Sequence, residues 1–282
     1  MDTDEVNESQ VEQAQRAYDA RAPTYEDSFH PDYSRRLMDL VQPNPGDKVL
    51  VLACGTGLES FIAAEQVGAT GGVIGVDVSQ GMLALARARQ ARETVLGSRM
   101  KFVTGDVTKL DGVDGVGEEG FDLIICSNAF VLFKDPRLVV RRWKKFLKPK
   151  GRVIIDITHE RNLIAGTVME RAAQRMGIPY SLSRAWIKSR DSFKKVLEGE
   201  GYVVERIEDM EKISGRGNQY LGIDEADDQF EYIVNSGFTP KNFIGDTREE
   251  ARRFFAEEWA KMAVDGKVEN VDVLYVYIAR PE

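Results

Sequence analysis

The stretch Val49-Leu50-Val51-Leu52-Ala53-Cys54-Gly55-Thr56-Gly57 decides the fold. Its first five residues are apolar and predict a strand buried on both faces, and the glycines that follow let the backbone approach a ligand closely. A second apolar run, Val73-Ile74-Gly75-Val76-Asp77, ends in a carboxylate twenty residues after the last glycine of the first stretch. In nucleotide-binding units such a carboxylate accepts hydrogen bonds from ribose hydroxyls. The two stretches together therefore predict a nucleotide site.

One interpretation of this site is dinucleotide binding. Gly55-Thr56-Gly57-Leu58-Glu59-Ser60 comes within one residue of the pattern G-x-G-x-x-G/A, with Ser60 at the third small position. This interpretation predicts an NAD(P)-dependent oxidoreductase. Against it, no tyrosine in the chain has a lysine four residues further on, so the sequence lacks a Tyr-x-x-x-Lys pair.

The glycine turn also resembles the first motif of class I S-adenosylmethionine (SAM) methyltransferases. The family pattern is apolar-apolar-acid-apolar-G-x-G-x-G, and here Val51 stands at the acidic position and Ala53 at the first glycine. In the family the acid helps to organise the loop near the methionine end of the cofactor. Val51 leaves that contact to other residues.

Three further motifs follow in the family's order. Residues 100–107 resemble a third strand ending in Gly-Asp, and residues 121–130 resemble the fourth strand and the turn after it. Residues 147–155 resemble the family's L-K-P-G-G turn and fifth strand, with Lys150 in place of one glycine. Because four motifs with this spacing are more specific than any one of them, the chain is identified as a member of this methyltransferase family.

The resemblance implies an α/β fold: a Rossmann-like, doubly wound, seven-stranded and mostly parallel sheet with a helical cap. Alternating strands and helices over residues 46–104 agree with repeated βαβ units, whose ligand lies at the carboxyl ends of the strands. The last apolar run, residues 271–279, is expected to insert antiparallel between its neighbours.

We divide the chain, as a single domain overall, into an N-terminal helical entrance segment (1–45), a SAM-binding core (46–157) and the remainder of the sheet (158–282). Two parts of the last region, about 158–188 and 210–268, are too long for plain loops and are interpreted as a substrate cap. We call them the cap segments. A structural insert or a dimer contact is the alternative.

The entrance segment carries a motif of its own. Tyr18-Asp19-Ala20-Arg21-Ala22-Pro23-Thr24-Tyr25-Glu26 resembles the Y-D-x-x-A-x-x-Y-[DE] segment of ubiquinone-biosynthesis-like methyltransferases. In those relatives the segment covers the cofactor, so Tyr18 and Tyr25 are candidates to touch SAM. The alternative is that both tyrosines only pack the helix onto the domain.

The resemblance implies cofactor-binding roles for a set of residues at the predicted strand ends and in the entrance segment. They are Tyr25, Ala53, Cys54, Gly55, Gly57, Asp77, Val78, Met82, Asp106, Val107 and Asn128. The residues from 53 to 57 surround the methionine part, and Asp77 binds the ribose. Val78 and Met82 flank the adenine.

Two further roles complete the predicted cofactor site. Asp106, helped by the Val107 backbone, accepts from the adenine amino group, and Asn128 meets the amino group of the methionine part. Two aromatic residues, Phe130 and Phe133, are candidates to face the sulfonium or the acceptor, since a cation over an aromatic face is favourable. Core packing is the alternative for both.

The sequence indicates no dedicated catalytic group. Methyl transfer depends mainly on alignment and exclusion of water, so few catalytic side chains are required. The only histidines, His30 and His159, are candidate bases because histidine titrates near neutrality. A structural role is the alternative for each. No clustered His/Asp/Glu signature of a metal site is present.

Composition narrows the partners. The net charge is 38 − 46 = −8, so attraction to phosphate backbones or anionic lipid is not expected. The basic run from Arg137 to Arg152 is interpreted as the solvated face of a helix. Cys54 and Cys126 are expected to be reduced thiols. No apolar run reaches about 18 residues and the N-terminus is acidic, so we expect a cytoplasmic protein.

The expected function is SAM-dependent methyl transfer to a small, largely apolar metabolite, with S-adenosylhomocysteine (SAH) as the second product. The chain also resembles fungal secondary-metabolism enzymes that S-methylate dithiols of the gliotoxin kind, which makes a thiol one candidate acceptor. DNA adenine is disfavoured because Ser127-Asn128-Ala129-Phe130 lacks an N-P-P-Y-type box. The alternatives are an NAD(P)-dependent oxidoreductase and a non-catalytic SAM-binding regulator. The sequence does not predict an oligomeric state.

Overall fold

The structure is a computed structural model and describes residues 9–117, 119–178, 180, 184–236 and 247–282. Residues 1–8 of the predicted entrance segment and residues 179, 181–183 and 237–246 of the cap segments lie outside this range. No helix among the described residues is long and apolar enough to cross a bilayer.

The strands of the described chain form one large and one small sheet. They are β1 Lys48–Leu52, β2 Gly72–Asp77, β3 Met100–Thr104, β4 Phe121–Cys126, β5 Leu147–Thr158, β6 Tyr202–Glu211, β7 Gln219–Gly222, β8 Lys267–Asn270 and β9 Val273–Pro281. The large sheet has seven strands in the order β3-β2-β1-β4-β5-β9-β6. Strand β9 runs antiparallel between β5 and β6, and the other pairs are parallel. The predicted fold class and the insertion of the last strand are confirmed.

The described chain has ten α-helices, and those outside the cap segments flank the large sheet. The ten helices are α1 Gln10–Arg21, α2 His30–Val41, α3 Leu58–Gln66, α4 Gln80–Arg92, α5 Thr94–Gly97, α6 Pro136–Trp143, α7 Ile164–Arg175, α8 Asp191–Gly199, α9 Ala226–Val234 and α10 Arg248–Met262. Alternate residues of β1 point to opposite faces, so Leu50 and Leu52 belong to one apolar cluster and Val49 and Val51 to the other. This two-sided burial explains why the first strand has an uninterrupted apolar sequence.

Two helix starts have local features in the backbone. Helix α2 begins at His30 and has Pro31 in its first turn, where a missing N–H costs nothing. Helix α7 begins at Ile164. The preceding Leu163 is left-handed, with a φ of 48°, and breaks the helical path.

Helices α7, α9 and α10, which lie within the cap segments, form a third apolar cluster away from the large sheet. Next to it, β7 and β8 make an antiparallel pair that joins residues 219–222 to residues 267–270. The sequence does not predict this pair, because strands of four residues show too little alternation to be recognised.

The strand order leaves one crevice at the carboxyl end of β1. The chain leaves β1 for β2 on one side, whereas β4 joins it on the other. In open α/β sheets a ligand binds at such a switch point, outside the carboxyl ends of the strands. The glycine turn that follows β1 lies there.

Candidate functional site

A cavity that opens to solvent lies at the carboxyl ends of β1 to β4. The residues that line it are Gln10, Val11, Ala14, Tyr18, Tyr25, Ala53, Gly55, Asp77, Val78, Met82, Asp106, Val107, Thr108, Ser127, Asn128, Ala129, Leu132 and Phe133. Most of the predicted cofactor-binding residues meet at this one cavity.

The glycine turn after β1 brings main-chain atoms to the cavity. Ala53, Gly55 and Gly57 all have positive φ values, of 53°, 55° and 88°. A Cβ atom at Gly57 would come within 2.8 Å of the Phe102 ring, so this position requires glycine. Gly57 and the buried Cys54 belong to the same turn but do not line the cavity.

Asp77, at the end of β2, joins this turn to the next helix. One carboxylate oxygen accepts from the backbone N–H of Gly55 at 2.8 Å, and the other accepts from Ser79 N–H at 2.8 Å. Burial raises the pKa of Asp77, and these hydrogen bonds oppose the rise. Because each carboxylate oxygen can accept more than one hydrogen bond, Asp77 can also accept hydrogen bonds from a ligand in the cavity.

The loop after β3 presents Asp106. Its Oδ1 accepts from the backbone N–H and the hydroxyl of Thr108, at 2.9 and 2.7 Å. Helix α6 holds the loop from behind, since Trp143 Nε1 donates to the Val107 carbonyl at 2.7 Å and Arg142 donates to the Thr108 carbonyl at 2.9 Å. The loop therefore has a fixed shape at the cavity.

Helix α1 covers the cavity with three residues that the sequence analysis did not single out, namely Gln10, Val11 and Ala14. Val11, Ala14 and Tyr18 are spaced by three and four residues, which places them on one helix face. This spacing in the sequence could have identified Val11 and Ala14 as lining residues. Thr108 and Ser127 could have been identified because they are adjacent to predicted strand-end residues.

Asp19 fixes α1 over the cavity. Its Oδ1 accepts from the Ser79 hydroxyl at 2.6 Å and from the Gly81 backbone N–H at 2.8 Å. Ser79 is the N-cap of α4 and Gly81 lies in its first turn, where a carboxylate is favoured by the helix dipole. The covering helix is thus attached to the helix that begins at the ligand end of β2.

Asp19→Ala is expected to speed dissociation of SAH about five- to tenfold, because the cover loses two charge-assisted hydrogen bonds. Stopped-flow displacement by excess SAM measures this rate. The control is Asp32→Ala, since Asp32 is exposed and its ion pair among the described residues is with Arg35 on its own helix. Equal dissociation rates for the two variants would contradict a role of Asp19 in holding the cover.

The aromatic candidates differ in position. Phe133 lines the cavity, whereas Phe130 is 1% exposed and packs against Trp143 and Phe193, with ring centroids 5.8 and 4.7 Å apart. A short 3-10 turn over Phe130–Leu132 explains the difference, because it directs Phe130 inward and Leu132 toward the cavity. Phe130 therefore has the position of a core residue.

Neither histidine belongs to the cavity lining of the described chain. His30 stacks on Tyr25 at 4.0 Å between ring centroids, its Nδ1 lies 2.5 Å from the Ser28 hydroxyl, and burial lowers its pKa to about 4. His159 follows β5, where burial lowers its pKa and its Nδ1 accepts from the Arg161 backbone N–H at 3.0 Å.

The titratable side chains among the described lining residues are Tyr18, Tyr25, Asp77 and Asp106. Burial raises the pKa of both tyrosines, so both are neutral phenols at physiological pH. No group of three or more potential metal ligands is found in the described ranges. The cavity therefore combines a largely apolar wall with two carboxylates at neighbouring strand ends.

Comparison with known proteins bears on this site. The model of a methyltransferase-domain family matches residues 43–228, which is more than half of the chain. The chain is 39% identical to nocamycin O-methyltransferase of Saccharothrix syringae over 137 residues, which is 48% of this chain and 45% of that protein. It is 28% identical to aklanonic acid methyltransferase of a Streptomyces species over 69% of this chain and 93% of that protein. The matched part thus spans less than half the length of the first relative.

Solved structures agree with the observed fold. A SAM-dependent methyltransferase from Geobacter sulfurreducens, determined in complex with SAH, superposes with a TM-score of 0.54 at 17% identity. The superposition covers 89% of this chain and 91% of that one. At this identity the likeness concerns the fold.

Proposed function

Because this chain belongs to the class I SAM-dependent methyltransferase family, we propose that it transfers a methyl group from SAM to an ionisable oxygen of a small, largely apolar metabolite. One observation carries the proposal: Asp77 and Asp106, at the ends of neighbouring strands, face the same cavity as the glycine turn. This is the donor and acceptor set that a nucleoside attached to an amino acid requires.

The residues present fit the cofactor. Asp77 would accept from the ribose hydroxyls. Oδ2 of Asp106, which lies 3.9 Å from Lys109 Nζ, would accept from the adenine amino group. Val78 and Met82 would enclose the adenine ring, and Met82 is fully buried behind the cavity. Gly55 and Ala53 present their backbone to the methionine part, and Asn128 is available to its amino group. When bound, SAM supplies a methyl group on a cationic sulfur.

The choice of an ionisable oxygen follows from the absence of a free base in the described lining. Both tyrosines are neutral phenols, and the two carboxylates, Asp77 and Asp106, are assigned to the ribose and the adenine of the cofactor. An acceptor that loses its proton in solution needs no base from the protein. Carboxylic acids, acidic phenols and enols meet this requirement, and thiols meet it in part.

An apolar acceptor is favoured by the remaining walls. Val11, Ala14, Leu132 and Phe133 contribute aliphatic and aromatic surface to the cavity. The names of the two relatives, an O-methyltransferase and an aklanonic acid methyltransferase, favour oxygen over sulfur. The S-methylation of a dithiol, suggested by the gliotoxin-type resemblance, stays a prediction without support from these relatives.

The cap segments are proposed to close over the acceptor. None of the described cavity-lining residues comes from beyond Phe133, so the cover over the cofactor part is α1. The separate apolar cluster of α7, α9 and α10 gives the cap segments a core of their own, which suits a unit that moves relative to the sheet. The three-part division of the chain remains a proposal on the same grounds.

An acceptor panel tests the proposed function. With methyl-labelled SAM, we expect label to move to carboxylic acids, acidic phenols or enols and not to amines, with release of SAH. Asp77→Ala protein is the blank for each acceptor. Transfer to thiols alone would favour the dithiol prediction, and tight SAH binding without consumption of SAM would favour a regulator. Binding of NAD(P) in place of SAH would favour the oxidoreductase.

A further inference from the structure

Asp156, two residues from the end of β5, is a buried carboxylate to which no role has been assigned so far. It is 4% exposed. Both of its oxygens accept from the backbone N–H of Asn128, at 2.9 and 3.0 Å, and its Oδ2 also accepts from the Tyr33 hydroxyl. These contacts join the fifth strand, the turn after the fourth strand and helix α2.

Asn128 lines the cavity with a φ of 52°, in the left-handed region that asparagine enters more readily than most other non-glycine residues. An anchored N–H fixes the plane of the preceding peptide and so restricts the turn. Asp156 is therefore placed to keep Asn128 in the conformation that faces the cavity.

The position of Asp156 in the sheet also connects it with the cavity. Val51 of β1, Ile125 of β4 and Ile154 of β5 form one row across the sheet, and all three belong to the same apolar cluster. Asp156 lies two residues beyond this row on the same face, toward the cavity. Strand β1 has Val51 where the family has an acid, whereas β5 carries a carboxylate, Asp156, on the same face of the sheet.

Helix α2 attaches to this region through two neighbouring residues. Tyr33 donates to Asp156, and Ser34 donates to Glu59 of α3 at 2.8 Å. Both carboxylates are buried, but only Asp156 also reaches a cavity residue through the backbone. Both contacts attach α2 to the rest of the fold, but only the contact of Tyr33 with Asp156 also leads to the cavity.

We propose that Asp156 is a positioning residue for the cofactor cavity, which holds the left-handed turn at Asn128 and connects it through Tyr33 to helix α2. The proposal rests on the proposed function in one respect, namely that SAM or SAH occupies the cavity. Asp156 acts through Asn128 and does not itself line the cavity.

Protonation of Asp156 gives this arrangement a pH dependence. Burial raises the pKa of Asp156 to about 6, against the hydrogen bonds from Tyr33 and Asn128. The titratable groups that face it are Tyr18 on α1, Tyr33 on α2, Glu59 on α3 and Cys126 on β4. Below about pH 6 the neutral carboxyl group is a weaker acceptor, so the hold on Asn128 weakens.

The effect on stability has the opposite sign. Since the folded pKa lies above the ordinary value of 3.8, the ionised group is a stability cost above about pH 6 that is relieved as the pH falls. Replacing the carboxylate with an amide removes this cost. An Asp156→Asn protein is therefore expected to melt at the same or a higher temperature at pH 8 while it binds the cofactor less well.

Calorimetric titration with SAH from pH 5 to pH 8 tests the proposal. At pH 8, Asp156→Asn is expected to raise the dissociation constant about five- to tenfold, because a charged acceptor becomes a neutral one. The unsubstituted chain loses affinity as the pH falls through about 6. Tyr33→Phe moves that midpoint upward, because donation by Tyr33 lowers the pKa of Asp156. Asp32→Ala, at an exposed position of the same helix, is the control and leaves the midpoint unchanged.

Three outcomes would overturn the proposal. One is SAH binding by folded Asp156→Asn within twofold of the unsubstituted chain at pH 8. Another is a lower melting temperature with unaltered affinity, which would indicate a purely structural role. If Asp156→Asn fails to fold, the pH dependence of SAH binding by Tyr33→Phe tests the proposal instead. A midpoint that does not move upward overturns the proposal. Absence of SAH binding by the unsubstituted chain would overturn the proposed function as well, so the two failures are distinguishable.

Discussion

Replacing Asp77 with alanine is expected to weaken SAH binding at least about 100-fold. Each hydrogen bond to a charged acceptor contributes about 1.5–3 kcal/mol, and two ribose hydroxyls would lose their acceptor. The substitution also frees the backbone N–H groups of Gly55 and Ser79, which Asp77 holds at 2.8 Å each. Calorimetric titration of the purified variant measures the dissociation constant.

Two controls separate binding from folding. Asp114→Ala removes an exposed aspartate whose ion pair in the described part of the chain is with Lys101, and it is expected to leave SAH affinity unchanged. Asp77→Asn keeps the shape of the side chain. Because burial raises the pKa of Asp77 above its ordinary value, the ionised group costs stability at neutral pH, so this variant is expected to melt no lower than the parent. SAH binding by Asp77→Ala within threefold of the parent would contradict the assigned role.

Trp259→Ala is expected to lower the free energy of unfolding of the cap cluster by about 3–5 kcal/mol. Trp259 is fully buried, stacks on Phe255 with ring centroids 5.9 Å apart, and donates to the Gly222 carbonyl at 3.0 Å. Its loss opens a large space among α7, α9 and α10. We expect a separate, earlier unfolding transition in calorimetry, with faster hydrogen exchange in α9.

Cofactor binding should survive this change, because no described cavity-lining residue belongs to the cap segments. SAH affinity of Trp259→Ala is expected to stay within threefold of the parent. Trp143→Ala is the matched control, since Trp143 is equally buried but holds the Val107 carbonyl at the cavity. It should lose both stability and SAH affinity. A loss of SAH binding in Trp259→Ala as large as in Trp143→Ala would mean that cap and cavity unfold as one unit.

Residues at strand ends were predictable because their positions follow from local patterns. An apolar run identifies a buried strand, and the residue after it lies at the carboxyl edge, where parallel strands gather their ligand. Asp77, Asp106 and Asn128 reach the cavity for this reason. The same patterns do not say which side chain of a turn faces inward, and Phe130 differs from Phe133 only through the 3-10 turn between them.

The sequence by itself determined the alternation of strands and helices, the insertion of the last strand and the class of cofactor, since these depend on periodicity and short motifs. Only the tertiary structure decided that α1 covers the cavity, that β7 pairs with β8, and that Asp156 meets Tyr33 across 123 positions of the chain. Such contacts depend on which faces of distant elements pack together. A local sequence pattern reveals the periodicity of one helix or strand. The partner of a buried polar group depends on how all helices and strands pack together.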